Sequence, residues 1–226
     1  MTVTTSDPIR RALAAALLAF PCLFILVFLM HFRHGLDFFK FRLHYVPPSP
    51  EVVVPNLIRA HNAWPLTHDQ HVLGYLSLPL IPLCAYALYL VGMRVRPVTS
   101  AIAMMLTVTG TIFLGGVFGM WTAFYRGLGL VDPRHTEGAI ATFRALTTNQ
   151  GAFFLTTTLA KLSMVGLSAQ ALTLIGRIRT WAIVCIVLGA LLFLLFWDQD
   201  NWMTIGSLLI EAGFSPIRRA LLVEER

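Results

Sequence analysis

The sequence predicts an all-α integral membrane protein, a single bundle of six transmembrane helices. Hydrophobic residues make up 57% of the 226 residues and charged residues only 12%, whereas soluble domains typically contain about 25% charged residues. Apolar runs of about 18 residues or more recur along the chain, and a run of that length can cross a bilayer as a helix. The length fits one polytopic membrane domain over residues 1–226.

Six spans are predicted where the apolar runs end at charged residues, prolines or glycines. The first run follows Arg10 and Arg11 and has no small-residue cleavage site after it, which favours a retained helix over a signal peptide. The last run is short, so its assignment depends on the topology. The approximate bounds are 11–30, 71–93, 101–125, 151–176, 181–197 and 202–216.

The cationic residues divide the connecting segments into two groups. One group spreads its cations through the long segments 31–70 and 126–150, and the other holds them in short segments. Short cytoplasmic loops are enriched in Lys and Arg, so the second group is predicted to face the cytoplasm of an inner (plasma) membrane. Both termini are then cytoplasmic, which requires an even number of spans and supports the sixth. The second group is Arg10, Arg11, Arg94, Arg96, Arg177, Arg179, Arg218, Arg219 and Arg226.

The net charge of +6 does not indicate a nucleic-acid partner. The arginines stand in pairs beside apolar runs, where cations act as topology signals, and they form no basic block. The partner that the sequence implies is the lipid bilayer. Other subunits of a membrane complex, or further copies of this chain, stay open as additional partners.

The two long outer segments, 31–70 and 126–150, are predicted to form a cap on the outer face. In the first of them, Arg33, Asp37 and Lys40 fall on one helical face together with His44, and phenylalanine and leucine side chains fall on the other. This pattern predicts a short amphipathic helix lying at the membrane interface.

All seven histidines map to the predicted outer side, six in the outer segments and His71 at the first residue of the second span. Two pairs have i, i+3 spacing, one at the end of the first span and one at the start of the second, and each pair would share a helix face. Imidazoles with one or two carboxylates suit a transition metal, and histidines from two helices suit a haem iron. The alternative is a set of interfacial histidines that bind no cofactor. The candidate ligands are His31, His34, His68, His71, Asp37 and Asp69.

The turn between the last two spans offers further carboxylates for this outer site. Asp198 and Asp200 lie there between Trp197 and Trp202. Tryptophans are expected at both membrane interfaces, so a solvated turn within an aromatic belt is the alternative interpretation.

Lys161 and Glu211 are ionisable residues inside the fourth and sixth spans, at similar predicted depths. An ionisable group at that depth usually faces the bundle and pairs, so we predict an ion pair between them. Together with polar residues on the same two spans, this ion pair would form a polar pocket. The pocket is either a transport path or a structural pair with interhelical hydrogen bonds. Its other members are Thr157, Ser168, Gln170, Thr204 and Ser207.

Small residues in the third span predict close helix packing. Gly115 and Gly119 have the GxxxG spacing that lets two membrane helices approach closely.

Three function classes follow from these features. Because the sequence contains no GxSxG, P-loop, GxGxxG, HExxH or CxxCH motif, an accessory or assembly subunit of a membrane complex is the leading prediction. A membrane redox or metal-binding protein with an outer His/Asp site is the first alternative. A small transporter with Lys161 and Glu211 in its path is the second, and enzymatic activity stays open.

Overall fold

The computed structural model describes residues 7–32, 38–42, 49–63, 66–128, 130–132, 134–147, 151–197 and 199–223. Within these ranges, the side chains of 60–63, 66–69 and 151–153 are outside the description. The described chain is all-helical and contains no strand, which confirms the predicted all-α class.

The described chain contains ten α-helices, and their ends follow the charges, prolines and glycines of the sequence. A turn around Pro79 separates α3 from α4, and a one-residue turn at Lys161 separates α7 from α8. The helices are α1 Asp7–Leu29, α2 Pro50–Ala63, α3 Leu66–Ser77, α4 Leu80–Gly92, α5 Pro97–Leu128, α6 Glu137–Thr147, α7 Gly151–Ala160, α8 Leu162–Thr173, α9 Thr180–Leu195 and α10 Asp200–Val223.

Three helical stretches are long and apolar enough to cross a membrane. They are Asp7–Leu29, Gln70–Gly92 and Pro97–Leu128, and they coincide with the first three predicted spans. The apolar helix α9 is shorter, with 16 residues. These helices indicate that the protein associates with a membrane.

The longer helices contact one another in a closed order. Helix α1 packs on α4, α4 on α5, α5 on α8, α8 on α9, α9 on α10, and α10 returns to α1. Their shared core is rich in aromatic rings from α1 and α9. Phe24 packs its ring 4.8 Å from Phe20 and 6.2 Å from Phe193.

Helices α5 and α8 cross with their backbones in close contact. A Cβ added at Gly110 would lie 1.9 Å from the backbone nitrogen of Ser163, and one added at Gly166 would lie 2.4 Å from that of Thr107. Neither position can carry a side chain unless a helix moves. The predicted close packing at Gly115 and Gly119 is wrong, because a Cβ at either would meet only side chains, at 3.8 and 3.9 Å.

A second close crossing joins α9 to α10. A Cβ at Gly189 would lie 2.5 Å from the Gly206 carbonyl oxygen, and one at Gly206 would lie 2.8 Å from that of Gly189. A Cβ at Gly213 would likewise lie 2.6 Å from the Ala182 carbonyl oxygen. The absence of side chains at these glycines lets the two helices pack backbone to backbone.

Helices α2 and α6 form a second layer beside the end of α5. Val54, Ile58 and Leu128 are its buried centre, and Phe124 and Phe143 pack against them. An exposed ion pair between Glu51 and Arg144 also joins α2 to α6. Described parts of the two predicted cap segments therefore pack together.

The predicted interfacial helix is wrong where the structure describes it. Residues 33–37 and 43–48 lie outside the described ranges, Phe38 and Phe39 form a single 3-10 turn, and 40–42 are irregular. Tertiary contacts explain the irregular path. The Trp202 indole donates a hydrogen bond to the Arg42 carbonyl oxygen at 3.1 Å, and the Phe41 ring lies 4.9 Å from that indole.

Candidate histidine site

His31 lies just beyond the end of α1, where its ring turns back onto the helix. Its Nδ1 is 3.1 Å from the Val27 carbonyl oxygen and 3.5 Å from Oδ1 of Asp200, which is the first residue of α10. A carbonyl oxygen can only accept, so Nδ1 carries the proton of the neutral ring and Nε2 carries the lone pair.

Burial keeps the His31 ring uncharged. The His31 side chain retains 24% of its exposure, and burial lowers the pKa of His31 from 6.5 to about 4 despite its backbone hydrogen bonds. The ring is therefore neutral at pH 7, and the Asp200 carboxylate faces an N–H group and not an imidazolium.

His71, on α3, packs directly against His31. The two ring centroids are 5.4 Å apart and the ring planes are nearly perpendicular, at 82°. On its other side, His71 stacks on Tyr125 near the end of α5, with centroids 4.4 Å apart and planes at 23°. The end of α1 and the second apolar stretch therefore meet, and α5 and α10 supply Tyr125 and Asp200 to the same place.

The other predicted ligands of this site fall outside the described structure. His34 and Asp37 lie in 33–37, and the side chains of His68 and Asp69 are among those not described. Among the side chains that are described, no three His, Cys, Asp or Glu residues are grouped so as to hold a metal ion. Metal or haem binding by the full predicted set stays a prediction.

Sequence reasoning identified Asp200 only as an alternative contributor and missed Tyr125. Tyr125 belongs to the aromatic belt that ends the third span, and nothing in its spacing distinguishes a ring stacked on histidine from one facing lipid. Its neighbours Trp121 and Phe124 pack beside it, with ring centroids 5.6 and 5.9 Å away.

Glu211 has a different partner from the one that we predicted. Its Oε1 forms an ion pair with Nη1 of Arg218 at 2.7 Å, two turns further along α10. The described ion pairs do not include Lys161 with Glu211. Helix α10 packs mainly on α9 and α1, whereas Lys161 lies at the break before α8, which packs mainly on α5 and α9. The predicted pair is therefore replaced by one within a single helix.

The predicted pocket residues make mostly structural hydrogen bonds. The buried Gln170 amide on α8 donates to the Ala85 carbonyl oxygen of α4 at 2.6 Å and accepts from the Thr107 hydroxyl of α5 at 3.1 Å. Thr204 and Ser207 donate to carbonyl oxygens of α10 itself.

Ser168 and Thr157 are the two remaining pocket candidates. Ser168 has a buried hydroxyl without a hydrogen-bond partner among the described residues. Thr157 is half-buried on α7.

The comparisons with known proteins found no counterpart. No family model, no curated protein and no solved structure matches this chain. The function must therefore be inferred from its membrane helices and from the chemistry of its own side chains.

Proposed function

We propose that the chain is a six-span protein of the inner membrane with both termini in the cytoplasm. Each of the six predicted spans coincides with a helix or with a pair of consecutive helices. The closed order of helix contacts supports the same number, because it joins six helices, one from each predicted span. The arginine distribution supports the orientation.

We further propose that the protein serves as an accessory or assembly subunit of a membrane complex. One observation carries this proposal: polar side chains inside the helix bundle are bound to other groups of the protein. Gln170 joins α8 to α4 and α5, and Glu211 is paired within α10. The Gln170 contacts hold three helices together, and the Glu211 charge is offset within its own helix, so both groups contribute to the fold of the bundle.

A transporter has less support. Its predicted path depends on Lys161 and Glu211 facing each other, and Glu211 is instead bound to Arg218. The backbone contact at Gly110 and Gly166 also closes the crossing of α5 and α8.

Deletion of the gene from its source organism tests the accessory role. Membranes solubilised in mild detergent are separated by native electrophoresis and then by denaturing electrophoresis. We expect one complex to lose its native size in the deletion strain, to regain it with the wild-type chain, and to contain that chain in fixed stoichiometry, because a subunit that holds helices in register is needed for assembly. The role is contradicted if every complex keeps its size and the chain migrates only alone or with copies of itself.

A further inference from the structure

We propose that His31 and His71 bind one divalent transition-metal ion at the outer face, with water completing the coordination shell. The proposal is independent of the accessory role. It rests on the two histidine rings and Asp200, all of which the structure describes, and only its placement at the outer face rests on the proposed topology.

The spacing of the two rings suits a shared ion. Metal–nitrogen bonds are about 2 Å long, so two imidazoles on one tetrahedral ion have ring centroids roughly 5–6 Å apart. The observed centroid distance is 5.4 Å. The observed distance therefore matches the separation that one shared ion requires.

The protonation of His31 is the form that a ligand requires. Its Nδ1 donates to the Val27 carbonyl oxygen, so Nε2 presents a lone pair. Metal-binding histidines almost always donate their second N–H to a carbonyl oxygen or a carboxylate, and that donation fixes the ring and raises the basicity of the ligating nitrogen.

Asp200 completes this arrangement as a positioning residue. Its Oδ1 lies 3.5 Å from the same Nδ1 of His31. Asp200 is the first residue of α10, whereas His31 follows the end of α1. Tyr125 supports the other ligand, because its ring stacks on His71 and restricts the imidazole plane. Each ligand is thus held by a group from a different helix, which limits the entropy lost on binding.

The donor set selects the class of ion. Two neutral imidazoles with water suit Cu²⁺, Ni²⁺ or Zn²⁺, whereas Mg²⁺ and Ca²⁺ prefer carboxylate and carbonyl oxygens. Among described thiols, Cys84 is buried, and its Sγ lies 3.4 Å from the Ala16 carbonyl oxygen of α1, well inside the helices. A site of this kind at the outer end of the helices would take up an ion from the outer aqueous phase.

The experiment uses the purified full-length protein with a tag that contains no histidine. Electron paramagnetic resonance of the Cu²⁺-loaded wild type reports how many imidazole nitrogens bind the ion. Titration calorimetry with Zn²⁺ gives the stoichiometry and the affinity. The ligand variants are His31→Gln and His71→Gln, and Asp200→Asn tests the positioning residue. His135→Gln is the matched control, because His135 is 78% exposed beside Asp132 on another loop.

We expect one ion per chain and two equatorial imidazole nitrogens in the wild type. Loss of an outer partner typically weakens metal affinity about 10–100-fold, so Asp200→Asn should fall in that range and each ligand variant should lose more than about 100-fold. His135→Gln should bind like the wild type, and unfolding without metal shows whether each variant is folded. Absence of stoichiometric binding, fewer than two imidazole nitrogens in the wild type, or wild-type affinity in either ligand variant would overturn the proposal.

Discussion

Replacing Gly110 with alanine should lower the free energy of unfolding by about 3 kcal/mol, at the upper end of overpacking costs. The added Cβ would lie 1.9 Å from the Ser163 nitrogen, and its next neighbours at 2.6 and 2.7 Å are also backbone atoms. A flexible side chain can turn away from a clash, whereas here α8 as a whole must shift from α5. Thermal and denaturant unfolding of the purified protein in detergent measures the change.

Gly115→Ala is the matched control for this substitution. It lies five residues along the same helix, and its Cβ would meet only the Leu78 Cδ1 atom, at 3.8 Å. Alanine is favoured over glycine in a helix by about 1 kcal/mol, so this variant should be as stable as the wild type or slightly more stable. Equal destabilisation of the two variants would contradict the assignment of the close crossing to Gly110.

Removal of either partner of the Glu211–Arg218 pair should destabilise the protein more than removal of both. Arg218→Met leaves the carboxylate of Glu211 among apolar groups without its cation, which we expect to cost about 2 kcal/mol. Breaking a fully buried pair costs about 3–5 kcal/mol, and here each side chain keeps 21% of its exposure, which reduces the cost. The double variant Glu211→Leu with Arg218→Met should recover about 1 kcal/mol or more as a coupling energy.

The control is a second double-mutant cycle, which combines Glu211→Leu with Lys161→Met. Because Lys161 forms no described ion pair with Glu211, the effects of these two substitutions should add to within about 0.5 kcal/mol. Chemical unfolding of all six proteins under one set of conditions gives both cycles. A larger coupling energy with Lys161 than with Arg218 would show that the interhelical pair predicted from the sequence is the correct one.

The helical elements could be predicted from the sequence because their signals are local. An apolar run needs only its own length to identify it as a helix that can enter a membrane, and its ends are marked by residues such as Arg96 and Pro97. The helices α5 and α9 therefore fall where the third and fifth predicted spans lie. The break at Lys161 had no such signal, because leucine, serine and methionine on its C-terminal side all permit a continuous helix.

The partners of the polar residues could not be predicted in the same way. Seven residues separate Glu211 from Arg218, which is about 10 Å along a helix, so the familiar i, i+3 and i, i+4 rules do not pair them. Only their length lets the two side chains meet. The prediction of close helix packing at Gly115 and Gly119 was wrong for a related reason. The GxxxG spacing of Gly115 and Gly119 describes one helix, whereas a close crossing also depends on the facing helix, and Gly166 supplies it opposite Gly110.

The histidine site was predictable only in part. Spacing and topology placed His31 and His71 at neighbouring helix ends, and the structure brings their rings to 5.4 Å. The contact of Asp200 with His31 depends on how α10 packs beside α1. That packing depends in turn on a helix order that no single segment encodes.

Thiol labelling from outside intact cells tests the six-span architecture most directly. Gly138 and Thr180 are exposed residues at the starts of α6 and α9, and only the broken fourth span, α7 with α8, lies between them. Gly138→Cys should react with a membrane-impermeant maleimide in intact cells, and Thr180→Cys only after permeabilisation. The wild type gives the background, since its cysteines lie within helices α1, α4 and α9. Labelling of both variants from outside, or of Thr180→Cys alone, would contradict the architecture.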